Sequence, residues 1–145
     1  MSVIAEEFDA SRIKTPKQAY RDATCPLYTA AKILGKRWTL NLLQDLFAGG
    51  GSRRFNELRR SLDWIAPKVL SQRLKELKKF GIIDRKVNTE SSPVRVTYSL
   101  TEKGWGLEPV LGCLKEWGMK FIKQEITHCA DVICMSCEPP SKDAD

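Results

Sequence analysis

Leucines at helical spacing mark the most informative segment of the chain, residues 68–87. Leu70, Leu74 and Leu77 recur at i, i+4 and i+7, which places them on one face of an α-helix. Lysine, serine and glutamine residues occupy the other faces of this segment. After Gly81 the hydrophobic period changes to two, as in a strand. The segment therefore predicts a helix that is apolar on one side, basic and polar on the other, and followed at once by a strand.

Three further helices are predicted before this segment. Cys25-Pro26 starts the first, because proline is tolerated at the first helical position, and this helix ends near Gly35. The second is amphipathic and is ended by the glycine-rich run 49–52. Asn56 is expected to cap the third helix. Residues 63–66 then form the turn into the helix with the leucines.

A hairpin and one more helix are predicted after the segment. Ile82 to Val87 is the first strand, and residues 94–100, where apolar and polar side chains alternate, are the second. The turn-forming stretch 88–93 connects them. Thr101 is expected to cap the last helix and Pro109 to kink it.

This order of elements predicts a mainly α protein with a small β-hairpin, a winged helix-turn-helix domain. In such a domain the second helix of the turn-linked pair enters the DNA major groove, while the first crosses the backbone. The predicted organisation is an N-terminal arm over residues 1–24, the winged domain over 25–125 with its last helix at 101–125, and a cysteine-containing tail over 126–145.

Composition and charge agree with a DNA partner. The 145 residues suit one domain, and 42% hydrophobic with 29% charged residues is ordinary for a soluble globular protein. A net charge of +6 and a pI near 9.1 favour an anionic partner, and the basic residues concentrate in the middle of the chain. No apolar run resembles a signal peptide or a membrane span, so we expect a cytoplasmic protein without membrane contact.

Catalysis is not indicated. The only histidine, His128, lies in the tail, and no Gly-rich phosphate loop, carboxylate pair or Ser/His/Asp set can be assembled. A winged-helix module that binds another protein remains the alternative to a DNA-binding regulator, since fold alone does not fix function.

Several separate motifs resemble one known family. They are Cys25-Pro26, the stretch 34–38, Arg54-Phe55-Asn56-Glu57-Leu58, the stretch 68–77, Gly81-Ile82, the stretch 93–101 and Glu116-Trp117-Gly118. In order and spacing they are similar to the HxlR-type helix-turn-helix regulators, prokaryotic winged-helix proteins related to the MarR group. The resemblance covers about residues 25–121.

The resemblance implies a homodimer that binds a palindromic operator, with N- and C-terminal helices forming the dimer interface. In the last helix Leu111, Leu114, Trp117 and Phe121 make an apolar stripe suited to that interface. The alternative is that the stripe closes the core of one subunit. Ala66 stands where the family tends to place a small polar residue, which removes a helix cap, and Pro67 partly compensates.

Roles in DNA binding follow from reach. Lys68, Ser71 and Gln72 lie in the first turns of the recognition helix, where Gln72 can bond adenine and Lys68 guanine or a phosphate. Arg73 is expected either to contact a phosphate or to pack its stem beside the helix. The remaining predicted contacts are with phosphates or the minor groove, and they are Lys75, Lys78, Lys79, Arg54, Lys86 and Arg95.

The cysteines suggest, without deciding, how the protein is switched. Cys25 precedes a helix, whose dipole favours a thiolate, and the family resemblance implies a redox or electrophile sensor at this position; an inert thiol is the alternative. Cys113 is expected in the core. The tail places His128, Cys129, Cys134 and Cys137 close in sequence, where zinc, an iron–sulfur cluster, a disulfide or plain thiols are all open. We expect no obligatory cofactor.

Overall fold

The computed structural model describes residues 25–122, which divide between two units, 25–32 and 33–122. Most of helix α1 (Pro26–Leu34) belongs to the first unit, and none of its side chains is buried. The helix starts at Pro26 as predicted, and the Thr29 amide donates to the Cys25 carbonyl over 3.1 Å. The arm 1–24 and the tail 126–145 lie outside the described residues.

The second unit combines helices with one small antiparallel sheet. Its elements are α2 (Thr39–Ala48), β1 (Ser52–Arg54), α3 (Phe55–Ser61), α4 (Pro67–Lys79), β2 (Ile83–Asn88), β3 (Arg95–Leu100), α5 (Glu102–Trp105) and α6 (Glu108–Phe121). The sheet order is β1-β3-β2. The mainly helical winged helix-turn-helix prediction is therefore confirmed, with α3 and α4 as the turn-linked pair and β2–β3 as the wing.

Strand β1 was not predicted. It pairs with β3 through Ser52↔Ser99, Arg53↔Tyr98 and Arg54↔Thr97, so the sheet has three strands and not two. Three residues without apolar alternation carry no strand signal, because their pairing is imposed by the neighbouring β3. The hairpin strands themselves are confirmed: β2 lies one residue later than predicted at both ends, and β3 begins one residue later.

Leucines form the core of the second unit. Leu42, Leu43 and Leu46 of α2 pack with the leucines of α4, and all are at most 1% exposed. Ile83 and Leu100 bring the base of the wing into the same cluster. The helix-turn-helix and the wing therefore share one core. Burial of each such side chain contributes about 1.5–3 kcal/mol to its stability.

The start of α3 differs from the prediction. Arg54, not Asn56, is the N-cap, and its backbone N–H donates to the Glu57 carboxylate over 2.7 Å. Asn56 stands within the first turn. The Asn56 cap was therefore wrong: a glutamate at the third helical position satisfies the free N–H of the cap residue instead.

Helix α4 ends in a glycine turn that the wing and α5 hold in place. The Ile82 amide bonds the Leu77 carbonyl and the Gly81 amide bonds the Lys78 carbonyl, with Gly81 at φ 73°, a Schellman ending. The Lys103 ammonium donates to the Phe80 carbonyl over 2.6 Å. Because these bonds occupy carbonyls at the helix end, the orientation of α4 is tied to the base of the wing.

The last helix is broken, not merely kinked. Thr101 caps α5 as predicted, its hydroxyl accepting from the Gly104 amide over 3.2 Å. The α-helical hydrogen-bond pattern ends at Trp105 and resumes at Glu108, with Pro109 in the first turn of α6, although Gly106 and Leu107 keep right-handed helical backbone angles. In the first turn of a helix a proline leaves no hydrogen bond unmade, because backbone N–H groups there have no partner within the helix. The interruption therefore lies before Pro109 and not at it.

Candidate nucleic-acid interface

The outward face of α4 is polar, basic and open. Lys68, Gln72, Lys75 and Lys79 recur at i, i+4, i+7 and i+11, and all four are exposed. Leu70, Leu74 and Leu77 are buried behind them. The helix thus presents donors and positive charge to one side while its leucines fix it to the core.

The first turn of α4 lacks a side-chain cap, as predicted. Ala66 is the N-cap without a cap hydrogen bond, and Pro67 stands at the first helical position. The Val69 and Leu70 amides bond the Ala66 carbonyl over 2.9 and 3.0 Å. Proline removes one unsatisfied donor and fixes φ, so the helix forms without the usual polar cap.

The wing and α3 add cations beside this face. Lys86 and Arg95 are exposed on β2 and β3, and Arg54 is exposed at the junction of β1 and α3. Ser71 and Lys78 lie on the side of α4 toward the wing. The structure therefore brings nine of the predicted contact residues to α4, the wing and the start of α3. Their DNA contacts stay predictions.

Arg73, the tenth, is half-buried and bonded to other residues of the protein. Its Nε donates to the Arg37 carbonyl over 2.9 Å, and its Nη1 lies 2.9 Å from the Glu76 carboxylate. The side chain is 20% exposed. This geometry favours the packing role over a phosphate contact.

Glu76 lies at the centre of a polar cluster that ties α4 to the segment before α2. It accepts from Lys36 over 2.9 Å, from Arg73 over 2.9 Å and from the Gln72 amide over 3.2 Å. Burial alone would raise the pKa of this carboxyl, but the hydrogen bonds from Lys36, Gln72 and Arg73, with the charge of Arg73, outweigh it and lower the pKa. The carboxylate is charged at neutral pH and holds three donors.

Sequence reasoning missed Lys36 and Glu76 in this role. The i, i+3 spacing of Arg73 and Glu76 was a usable signal for a helix ion pair. Nothing in the sequence indicates that Lys36, forty positions earlier, completes the cluster, because that contact depends on how α4 packs.

The sequence of this domain matches a known protein family. The model of the HxlR-like helix-turn-helix family matches residues 33–126. The chain belongs to the HxlR-like helix-turn-helix family. The match spans α2 to α6, including the recognition helix and the wing.

Relatives of this HxlR-like chain are regulators. It is 37% identical over 111 residues to the HTH-type transcriptional regulator YodB of Bacillus subtilis (strain 168), covering 74% of this chain and 94% of YodB. It is 42% identical over 99 residues to YvaP of the same organism, an uncharacterized HTH-type transcriptional regulator, covering 68% and 89%. The chain is a helix-turn-helix transcriptional regulator.

Solved structures of similar proteins share the fold. The reduced form of YodB from B. subtilis matches with a TM-score of 0.60 at 37% identity, covering 68% of this chain and 95% of that one. The redox regulator HypR in its reduced form matches with a TM-score of 0.60 at 36% identity, covering 66% and 92%.

The apolar stripe of α6 lies largely at the surface. Leu111 packs against the core, whereas Leu114, Trp117 and Phe121 are 48%, 55% and 61% exposed. The Trp117 and Phe121 rings lie 5.9 Å apart, centroid to centroid. The alternative that the stripe closes the subunit core therefore holds for Leu111 alone, and the dimer interface stays a prediction.

The two described cysteines differ from one another in context. Cys25 is partly exposed directly before α1. Cys113 is exposed on α6, so its expected place in the core was wrong, because it lies beside the apolar stripe and not on the buried side. The candidate metal ligands His128, Cys129, Cys134 and Cys137 lie outside the described residues. None of the helices within 25–122 has the length and hydropathy to span a bilayer.

Proposed function

We propose that this regulator acts as a homodimer that binds a palindromic operator, with one α4 in the major groove of each half-site. The observation that carries the proposal is the exposed face of α4, flanked by the cations of the wing and backed by buried leucines. Gln72 reads bases there, and Lys75, Lys78, Lys79 and Lys86 contact phosphates. The half-sites are about 34 Å apart, or a multiple of that, along the DNA.

The test is the affinity of the purified protein for duplexes at several salt concentrations. Operator candidates come from the DNA upstream of its own gene, located by footprinting. The logarithm of the binding constant should fall steeply with the logarithm of the salt concentration, by about 0.9 for each phosphate contact. A flat dependence would instead favour the protein-interaction alternative.

Gln72→Ala separates base reading from phosphate binding. Loss of a bidentate base contact should cost about 1–3 kcal/mol on the operator and leave affinity for unrelated duplexes nearly unchanged. Lys75→Gln is the matched comparison: it should weaken binding to all duplexes alike and reduce the salt slope by about 1. Equal losses on operator and unrelated DNA with Gln72→Ala would make Gln72 a positioning contact.

We further propose that oxidation of Cys25 regulates DNA binding. Support comes from its partial exposure before the N-terminus of α1, and from the similarity of the chain to the redox regulator HypR. The thiol oxidant diamide takes two electrons and two protons from a pair of thiols, and should join Cys25 in a disulfide to a second thiol other than Cys113. Operator affinity should then change in the wild type and in Cys113→Ser, but not in Cys25→Ser. An unaltered response to diamide in Cys25→Ser would show that another thiol is responsible for the regulation.

A further inference from the structure

The side-chain amide of Gln72 is held by a carboxylate one turn further along α4. Its Nε2 donates to Glu76 Oε1 over 3.2 Å, at the i, i+4 spacing at which helix side chains meet. An ionised carboxylate offers acceptors and no donor, so only the NH2 end of the amide can face it. The bond to Glu76 therefore fixes which end of the Gln72 amide is the donor and which is the acceptor.

This orientation leaves one donor and one acceptor of Gln72 for a ligand. The residue is exposed, and within residues 25–122 its side-chain oxygen and second amide hydrogen form no hydrogen bond. In the major groove, adenine offers the N6 amino group to such an oxygen and N7 to such an N–H. Guanine presents the acceptor O6 in place of the N6 donor, so the same orientation of the amide disfavours guanine.

Glu76 itself is bonded toward the protein. Its Oε1 lies 2.9 Å from the Lys36 ammonium, and its Oε2 lies 2.9 Å from Nη1 of Arg73. The Glu76 side chain is only 20% exposed. A carboxylate that reads cytosine must accept from the N4 amino group, and here both oxygens already accept from protein donors. Glu76 is therefore suited to position Gln72 and not to contact a base.

Two cations compensate the negative charge of Glu76. An unpaired carboxylate beside the exposed face of α4 would repel phosphates. Lys36 and Arg73 bond this carboxylate, and the Nε of Arg73 also donates to the Arg37 carbonyl over 2.9 Å. The carboxylate is thus anchored from outside α4 as well as from within it. It can hold Gln72 without opposing an anionic partner.

We propose that Glu76 sets the base preference of α4 by holding the Gln72 amide in the orientation that reads adenine. Ordering this side chain before DNA arrives also lowers the entropic cost of binding. Without the carboxylate the amide can turn over and offer its NH2 group to the acceptors of guanine or thymine. This role rests on the proposed function, because it needs α4 in the major groove.

The experiment compares operator duplexes that differ at a single base pair, the one at which Gln72→Ala changes the base preference. Wild type should bind adenine there about 5- to 150-fold more tightly than the other bases, the range of one bidentate contact. 7-Deazaadenine lacks the N7 acceptor and should lose most of this advantage.

Glu76→Gln keeps the shape of the side chain but replaces the carboxylate by a group that both donates and accepts. It should reduce the preference for adenine roughly 2- to 10-fold, the worth of one hydrogen bond. Affinity for unrelated duplexes should not fall, which reports that α4 is intact. In a Gln72→Ala background, Glu76→Gln should leave the base preference unchanged, because the two residues act as one unit.

Lys36→Gln is the matched control. It removes another bond to the same oxygen of Glu76 and loosens the link between α4 and the segment before α2. The bond from Gln72 to Glu76 remains, so the preference for adenine should persist. A role of Glu76 confined to stability predicts equal losses of base preference in Lys36→Gln and Glu76→Gln, and that result would overturn the proposal.

The other contrary outcomes are equally distinct. An unchanged adenine preference in Glu76→Gln, in a protein that binds its operator, would refute the role of Glu76 and leave the proposed function intact. Tighter operator binding by that variant with the same preference would show that the bond must break before Gln72 reaches a base, which also refutes it. A base other than adenine at the position read by Gln72 would do the same. A protein that binds no duplex would refute the proposed function and this role with it.

Discussion

Glu76 shows how one carboxylate can hold α4, the proposed DNA-contacting helix, against the rest of the protein. It accepts from Lys36, Gln72 and Arg73, and so joins α4 to the chain before α2. The carbonyl of Arg37 takes a further bond from Arg73. Bonds to a charged group contribute more than neutral ones, so this cluster holds the middle of α4 against the domain.

Glu76→Gln should lower the free energy of unfolding by about 1 kcal/mol at neutral pH. The folded-state pKa of Glu76 lies below the ordinary value of 4.5, so its stabilisation is complete above that value and is lost as the pH falls through the folded-state pKa. Urea unfolding across this range should show the two proteins converging in acid. A constant difference at every pH would show that the carboxylate charge is not responsible.

Glu90→Gln provides the control for this experiment. Glu90 is exposed in the wing turn, where its backbone amide donates to Asn88 and its carboxylate forms no ion pair with the described residues. The same chemical change should therefore leave stability within about 0.5 kcal/mol of wild type.

At the scale of elements, the sequence was sufficient where apolar spacing was regular. Helices α2 and α4 and the hairpin β2–β3 follow directly from leucine spacing and alternation. The cap of α3 could not be predicted in this way, because it depends on which side chain reaches the Arg54 amide. Strand β1 could not be predicted either, because it depends on pairing with β3. For the interface, spacing identified the outward face of α4, whereas the partners of Arg73 come from distant segments and required the packed structure.

Gly104→Ala should destabilise the protein more than Gly81→Ala. A Cβ at Gly104 would collide with the Ile82 backbone carbonyl at the base of the wing, and backbone has little freedom to yield. Gly81 has open space around it, so alanine there loses only the free energy needed to hold a residue with a Cβ in the left-handed conformation, about 1–2 kcal/mol. Thermal unfolding of the two variants checks this order, and the reverse order would show that α5 can shift away from the wing.

At the scale of the whole molecule, α6 presents an apolar surface beyond the needs of one subunit. Val110, Leu114, Trp117 and Phe121 share a face at i, i+4, i+7 and i+11, and all are more than 40% exposed. Aromatic residues on such faces are typical of protein interfaces. A second copy of the chain, placing its own α6 on this face, is the occupant we propose.

Trp117→Glu should convert the proposed dimer into a monomer, because it buries a charge in an apolar contact. Sedimentation equilibrium should report the lower mass, and operator affinity should fall steeply since only one half-site is held. Met119→Glu is the matched control. Met119 is 62% exposed on the opposite side of α6, so this variant should keep the mass of the wild type. A wild-type protein that sediments as a monomer would refute the dimer.

The wing is anchored at its base, which leaves the length of its tip free to vary. Ile83 pairs with Leu100, and the Thr101 hydroxyl bonds the Gly81 carbonyl, so both ends of the hairpin are anchored before it leaves the core. The tip, residues 88–94, is almost wholly exposed. Because lengthening a surface loop costs little, insertions or deletions there would change how far the wing extends along a duplex while leaving the recognition helix in place.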